Sequence, residues 1–306
     1  MTTVACIGAG VIGRNWAALC ATKGHDVRVY DADRGAALSA RERIVETLSA
    51  TGSQSVALGA QERIRVVDTI GEAMLDAAVV LEAVAEDLSV KRSVLAMFET
   101  CGSPSGLFLS STSTFRCGDI AEGSAASDRC LVAHPLNPPH LIPLVEIVPG
   151  AETSAETVQS ARDFLQQLGQ TVIALKRDVS GFATNRLQLA VLAEALWLVQ
   201  EDIVDPADID LAIRDGLGLR WATSGPFETL HLNGSGSFAD YLSKAIPVLW
   251  PLMEELRQPF ALEDDTIKRI ADFRDSKVSP AEIVEAKARR GRLLQRLQPI
   301  LNPNRI

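Results

Sequence analysis

Residues 8–13 read GAGVIG, and they stand where the hydrophobic period changes. Before them, VACIG (4–8) is a short apolar run of strand character. After them, residues 11 to 22 repeat their apolar positions at helical spacing. A strand that turns on glycines directly into a helix restricts the chain to few architectures. Gly8 allows the tight turn, Gly10 lets backbone approach a phosphate, and Gly13 lets helix pack closely on strand. A phosphate there meets unpaired N–H groups and the positive end of a helix dipole.

Asp31 closes the second strand run, DVRVYD (26–31). An acid at that place accepts hydrogen bonds from ribose hydroxyls and repels a 2′-phosphate, which favours NAD over NADP. Arg34 nearby argues the other way. Two alternatives share the pattern: a glycine turn in an α/β protein without a nucleotide, and FAD. The chain is short for a flavoenzyme and has no second nucleotide fingerprint.

Further strand runs are IRVV (64–67), VVLEAV (79–84), LFLSS (107–111), CLVAH (130–134), LVEIV (144–148) and TVIAL (171–175). Helical patterns near 33–48, 88–101 and 155–168 separate them. Such alternation predicts a mainly parallel, doubly wound sheet covered on both faces. After residue 178 the texture changes, with helical patterns near 206–216, 237–257, 263–274 and 280–297 and no convincing strand. The expected organisation is a dinucleotide domain over 1–180 and an all-α domain over 181–306, which 306 residues accommodate. Residues 185–204, NRLQLAVLAEALWLVQEDIV, are apolar on nearly every face, so the helix is expected to be buried on all sides. A partner subunit would help bury it, and a homodimer is the default expectation.

No run of apolar residues is long enough for a membrane span. MTTVACIGAG has no basic stretch before its apolar run, so no signal peptide is expected. The net charge of −9 disfavours a nucleic-acid partner. Lys287, Arg289, Arg290, Arg292 and Arg296 read as the solvated face of a C-terminal helix. Five scattered cysteines without a CxxC argue against disulfides or zinc and fit a reducing cytoplasm.

Ser110, Ser111, Thr112, Ser113 and Thr114 follow the fifth strand run, where ligands of a doubly wound sheet gather. The cluster is either a hydroxyl set for a substrate oxygen or carboxamide, or an ordinary polar connection. His134 ends the next run, and Pro135 biases it toward extended backbone. An imidazole there suits removal of an alcohol proton near neutral pH. Glu146 lies inside LVEIV, where an unpaired carboxylate is costly. Pairing with His134 would satisfy it, fix the tautomer and stabilise an imidazolium. A strand-end histidine with a structural role is the competing reading. Asn185 opens the long helix, either reaching back across the domain junction or satisfying helix N-terminal backbone. His25, His140 and His231 read as loop or wall residues.

Together with EAVAEDLSVK (82–91), HPLNPPHLIPLVEIVPG (134–150), GFATNRL (181–187) and GPFET (225–229), these residues make the whole chain similar to the 3-hydroxyacyl-CoA dehydrogenase superfamily. GLGLRW (216–221) and GPFETLHLNG (225–234) look most like its L-gulonate 3-dehydrogenase, or lambda-crystallin, branch. The resemblance implies a Rossmann-type NAD domain followed by a helical domain. It implies His134 as general base and Glu146 as its orienting partner. Ser113 would contact the substrate oxygen and nicotinamide region, and Asn185 the substrate or polarised carbonyl. Val11 and Ile12 would offer backbone to the pyrophosphate, Asp31 would hold the adenosine ribose, and Glu86 and Lys91 would line the nicotinamide and ribose side. Arg220 would recognise a substrate carboxylate, for which a guanidinium fork is suited.

SATGSQSVALGAQ (49–61) lacks the Lys or Arg with which acyl-CoA members typically contact CoA. The expectation is therefore NAD-dependent oxidation of a free 3-hydroxy carboxylate, L-gulonate-like, to the 3-keto acid, with no metal. The alternatives are a 3-hydroxyacyl-CoA dehydrogenase, a carnitine-type dehydrogenase with Trp197 and Trp221 near the cation, and a non-catalytic NAD-binding or crystallin-like protein.

Overall fold

The computed structural model describes residues 2–51, 54–233, 237–256 and 260–301. Residues 52 and 53 of the uncharged 49–61 stretch, and Gly234 at the end of GPFETLHLNG, lie outside the described residues. The chain divides into a sheet unit ending at Arg186 and a helical unit starting at Leu187.

The strand runs all form: β1 (Thr3–Ile7), β2 (Asp26–Tyr30), β3 (Ile64–Val66), β4 (Val79–Glu82), β5 (Leu107–Ser110), β6 (Cys130–Pro135), β7 (Leu144–Pro149) and β8 (Thr171–Ala174). They make one eight-stranded sheet in the order β3-β2-β1-β4-β5-β6-β7-β8. Pairing is parallel from β3 through β6. The β6–β7 pair is antiparallel and β7–β8 parallel again. β4 and β6 are buried along their whole length, which explains their unbroken apolar sequence. The strand order reverses between β1 and β4, which opens a crevice at the carboxyl ends of the strands.

The sheet unit's helices are α1 (Val11–Thr22), α2 (Arg34–Thr51), α3 (Gln54–Glu62), α4 (Ile70–Met74), α5 (Leu88–Cys101), α6 (Cys117–Ala121) and α7 (Ala155–Gln167). Several are capped by side chains at their first turn. Asp87 accepts from the Ser89 and Val90 amides at the start of α5, and Ser154 from Thr157 at α7. Trp16, Phe98, Phe108 and Leu109 are wholly buried in the core. All five cysteines are free thiols, and burial pushes the Cys6 thiol up to about 12.

α8 (Thr184–Gln200) leads into the helical unit. There α9 (Pro206–Leu211) continues through a π-helical stretch into α10 (Gly218–Trp221), followed by α11 (Pro226–Leu232), α12 (Phe238–Glu255), α13 (Asp264–Lys277) and α14 (Ile283–Leu301). No described helix is long and apolar enough to cross a membrane. The expectation that residues 185–204 are buried on all sides is corrected. Along α8 only Val199 is buried, and Leu187 and Leu189 are 66% and 55% exposed. The apolar pattern states what surroundings the helix needs, and among the described residues α8 is left largely exposed.

Candidate active site

The glycine turn divides its work as the sequence suggests. Gly8 has φ +100°, and a Cβ on it would lie 2.4 Å from the Ala83 carbonyl oxygen. A Cβ on Gly13 would lie 1.8 Å from the Gly8 oxygen, so close packing of α1 on β1 excludes a side chain. Gly10 differs: a Cβ there meets nothing within 4 Å. It caps the start of α1 beside Val11 and Ile12, whose N–H groups belong to the first turn and have no acceptor within the helix. The open space at Gly10 would admit a pyrophosphate.

A cavity of about 640 Å³ adjoins it, lined by Gly8, Gly10, Asp31, Ile70, Val94 and Met97 among others. Its mostly apolar wall suits an adenine ring. Asp31 holds the turn as well as facing the cavity. One carboxylate oxygen accepts from the Ala9 amide at 2.7 Å, the other from Asp33 at 2.9 Å. Arg34 pairs with Asp68 at 2.9 Å on the surface. These residues fit a dinucleotide.

His134 and Glu146 are register partners in the antiparallel β6–β7 pair. The imidazole Nδ1 lies 2.8 Å from Glu146 Oε2. An ionised carboxylate only accepts, so Nδ1 carries the proton and Nε2 remains the basic nitrogen. Glu146 is fully buried, and its other partners come from the start of α8. The Ala183 and Thr184 amides donate to Oε1 at 2.9 and 3.0 Å, and the Thr184 hydroxyl to Oε2 at 2.5 Å. Burial pushes this carboxyl up, but the His134, Thr184 and Ala183 hydrogen bonds outweigh it and hold it below its ordinary range. Phe182, wholly buried, packs its ring 5.2 Å from the imidazole.

Asn185 Nδ2 donates to the Ser113 carbonyl at 3.1 Å, which joins the start of α8 to the loop after β5. Glu86 meets the same loop. Its Oε1 accepts from the Ser113 and Thr114 amides at 3.1 and 3.0 Å and from the Thr112 and Thr114 hydroxyls. Its Oε2 pairs with Lys91 Nζ at 3.1 Å. Burial raises the Glu86 carboxyl, but the two hydroxyls and the Lys91 ammonium prevail and hold it at about 2. Arg220 is exposed on α10, in the helical unit.

The remaining histidines lie elsewhere. His25 pairs with Thr2 and packs on Phe164, and His231 packs on Phe238. Burial lowers the pKa of His140.

Sequence reasoning did not single out Glu82 or Thr184, and it placed Ser110 in the hydroxyl cluster without its tie to Glu82. Glu82 closes an apolar run just as Glu146 interrupts one, so the same burial cost would have flagged it. Thr184 sits beside Asn185 and carries no signal of its own.

A glycine-cradled dinucleotide crevice and a carboxylate-held imidazole on one sheet define an NAD-dependent dehydrogenase. Comparison with known proteins places it more closely. Residues 3–179 match the 3-hydroxyacyl-CoA dehydrogenase NAD binding domain, and residues 181–253 match the 3-hydroxyacyl-CoA dehydrogenase C-terminal domain. The chain belongs to the 3-hydroxyacyl-CoA dehydrogenase family, and NAD is its cofactor.

Two curated relatives are similar in sequence. The lambda-crystallin homolog of Homo sapiens is 38% identical over 251 residues, 79% of each chain. The L-carnitine dehydrogenase of Streptomyces griseus is 38% identical over 291 residues, 94% of this chain and 87% of that protein. Among solved structures, a 5-formyl-3-hydroxy-2-methylpyridine 4-carboxylic acid 5-dehydrogenase, an NAD+ dependent dismutase, superposes with a TM-score of 0.84 at 27% identity and covers 98% of both chains.

Proposed function

We propose that the chain oxidises the 3-hydroxyl of a free 3-hydroxy carboxylate of the L-gulonate type to the 3-keto acid. Bound in the glycine cradle, NAD would supply the acceptor for the hydride of C3. His134 Nε2 removes the hydroxyl proton, and Glu146 holds Nδ1–H and stabilises the imidazolium that forms. Ser113 and Asn185 hold the substrate oxygen, and Arg220 takes the carboxylate in a bidentate pair. Val11 and Ile12 offer N–H groups to the pyrophosphate, and Asp31 holds the adenosine ribose. The carrying observation is the 2.8 Å His134–Glu146 pair, whose carboxylate has every oxygen engaged. Absence of Lys and Arg from 49–61 supports a free acid over a CoA thioester.

L-carnitine, also a 3-hydroxy carboxylate, is the second reading. The S. griseus L-carnitine dehydrogenase matches 94% of this chain, against 79% for the human lambda-crystallin homolog.

The reading includes a second copy of the chain. The exposed apolar side chains of α8, with Phe227 and Val248 about three-quarters exposed, support a partner that covers them. Five free cysteines support a reducing compartment such as the cytoplasm.

A panel of L-gulonate, L-carnitine, 3-hydroxybutyrate and its CoA thioester, read by NADH absorbance, tests the substrate. The free acids are expected to react fastest, L-gulonate first. A preference for the thioester of about a hundredfold overturns the free-acid reading. NAD binding without turnover of any member favours a non-catalytic role.

A further inference from the structure

We infer that Glu82 and Lys91 form a buried anchor that positions the Ser111–Thr114 loop through Glu86. Glu82 is the last residue of β4 and is fully buried, as is Lys91 on α5. Their charged atoms are 3.0 Å apart. A buried ion pair is a weak fold stabiliser beside an apolar pair of the same volume. Its placement supplies another purpose.

Glu82 is in register with Ser110, the last residue of β5, and accepts its hydroxyl at 2.5 Å. It also accepts from the Val84 amide at 2.9 Å. One carboxylate thus ties the carboxyl ends of two adjacent strands at the point where the hydroxyl-rich loop begins. Lys91 then carries the tie outward, because the same Nζ that pairs with Glu82 also pairs with Glu86. Glu86 is part-exposed and spends both oxygens on protein, one on Lys91 and one on the loop. It therefore acts as a clamp on the loop. From the other side, Trp16 Nε1 donates to the Ser111 hydroxyl at 3.0 Å, and Asn185 grips the Ser113 carbonyl. Glu82 and Ser110 touch neither crevice nor reacting atoms in this scheme. They are positioning residues that act through Lys91 and Glu86.

The loop-holding role stands on these hydrogen bonds alone. Only its effect on turnover rests on the proposed dehydrogenase reading.

The test uses the full chain with Glu82→Leu/Lys91→Met, which removes both charges and keeps the volume, and Glu82→Gln, which keeps an acceptor. Amide hydrogen exchange is followed by mass spectrometry. The peptide containing Ser113 and Thr114 is expected to exchange about tenfold faster in the double variant, with the β1 peptide unchanged. Glu82→Gln is expected to fall between the double variant and the parent. With a substrate from the panel, kcat of Glu82→Gln, which leaves Lys91 and Glu86 in place, is expected to fall about tenfold while the NADH Kd changes less than about threefold. Parent-like exchange at Ser113 and Thr114 in the folded double variant overturns the proposal. So does equal acceleration across the sheet, which marks a purely structural pair. If the parent oxidises no panel substrate, the exchange measurement still decides.

Discussion

His134 and Glu146 face each other across an antiparallel strand pair, ring nitrogen to carboxylate at 2.8 Å. The register that makes them partners also fixes the imidazole at the carboxyl end of a strand whose other neighbour, β5, is parallel. The proposed base and its orienting acid are therefore set by sheet geometry.

Replacing His134 by Ala is expected to lower kcat about a thousandfold, since a positioned base supplies that much. NADH binding, followed by fluorescence, should stay within about twofold, because the glycine cradle lies on other strands. Glu146→Gln should also lose about a hundredfold, through the tautomer it no longer fixes. Unchanged turnover in His134→Ala removes that residue from its role.

Gly10 and Gly13 should part company on substitution. Gly10→Ala has open space and is expected to fold normally but to weaken NAD binding about tenfold, by obstructing the phosphate approach. Gly13→Ala drives a methyl into the Gly8 carbonyl and is expected to cost about 3 kcal/mol of stability. Thermal melts and NADH titrations of the two variants distinguish a cradle from a packing contact.

Acid should loosen the site in a defined window. The Glu86 carboxyl lies near 2 in the folded chain against an ordinary 4.5. A depressed acid contributes stability above its unfolded value and loses it as pH falls through the folded one. The contribution is thus complete above about 4.5 and gone below about 2. Glu146, also held down, adds to the loss in the same direction. Urea melts between pH 6 and about 2.5 should show the decline, and Glu86→Gln should flatten it. Equal slopes for parent and variant contradict the assignment.

Asp31→Ser is expected to reduce the preference for NAD over NADP at least about tenfold, because it removes the charge that repels a 2′-phosphate. Ratios of kcat/KM for the two cofactors measure this. The Ala9 amide also loses its carboxylate acceptor, so a modest drop in melting temperature should accompany it.

Much of this was legible beforehand. Strand runs, glycine turn and the His134–Glu146 pair follow from period, steric need and the cost of a buried carboxylate. Thr184 was not legible, nor was the tie from Ser110 to Glu82, because small hydroxyl residues are common and their partners lie far along the chain. α8 shows a different limit. Its sequence calls for an apolar surround, but periodicity carries no information on which polypeptide would provide it.

The chain leaves the sheet through Ala183 and Thr184, whose N–H groups grip the Glu146 carboxylate behind the His134 imidazole. A chimera joined at residue 180 would sever the imidazole's support from the polypeptide that provides it. Recombination that keeps chemistry while exchanging the helical half must cross downstream of Thr184, so this short stretch travels with the nucleotide half as one inherited piece.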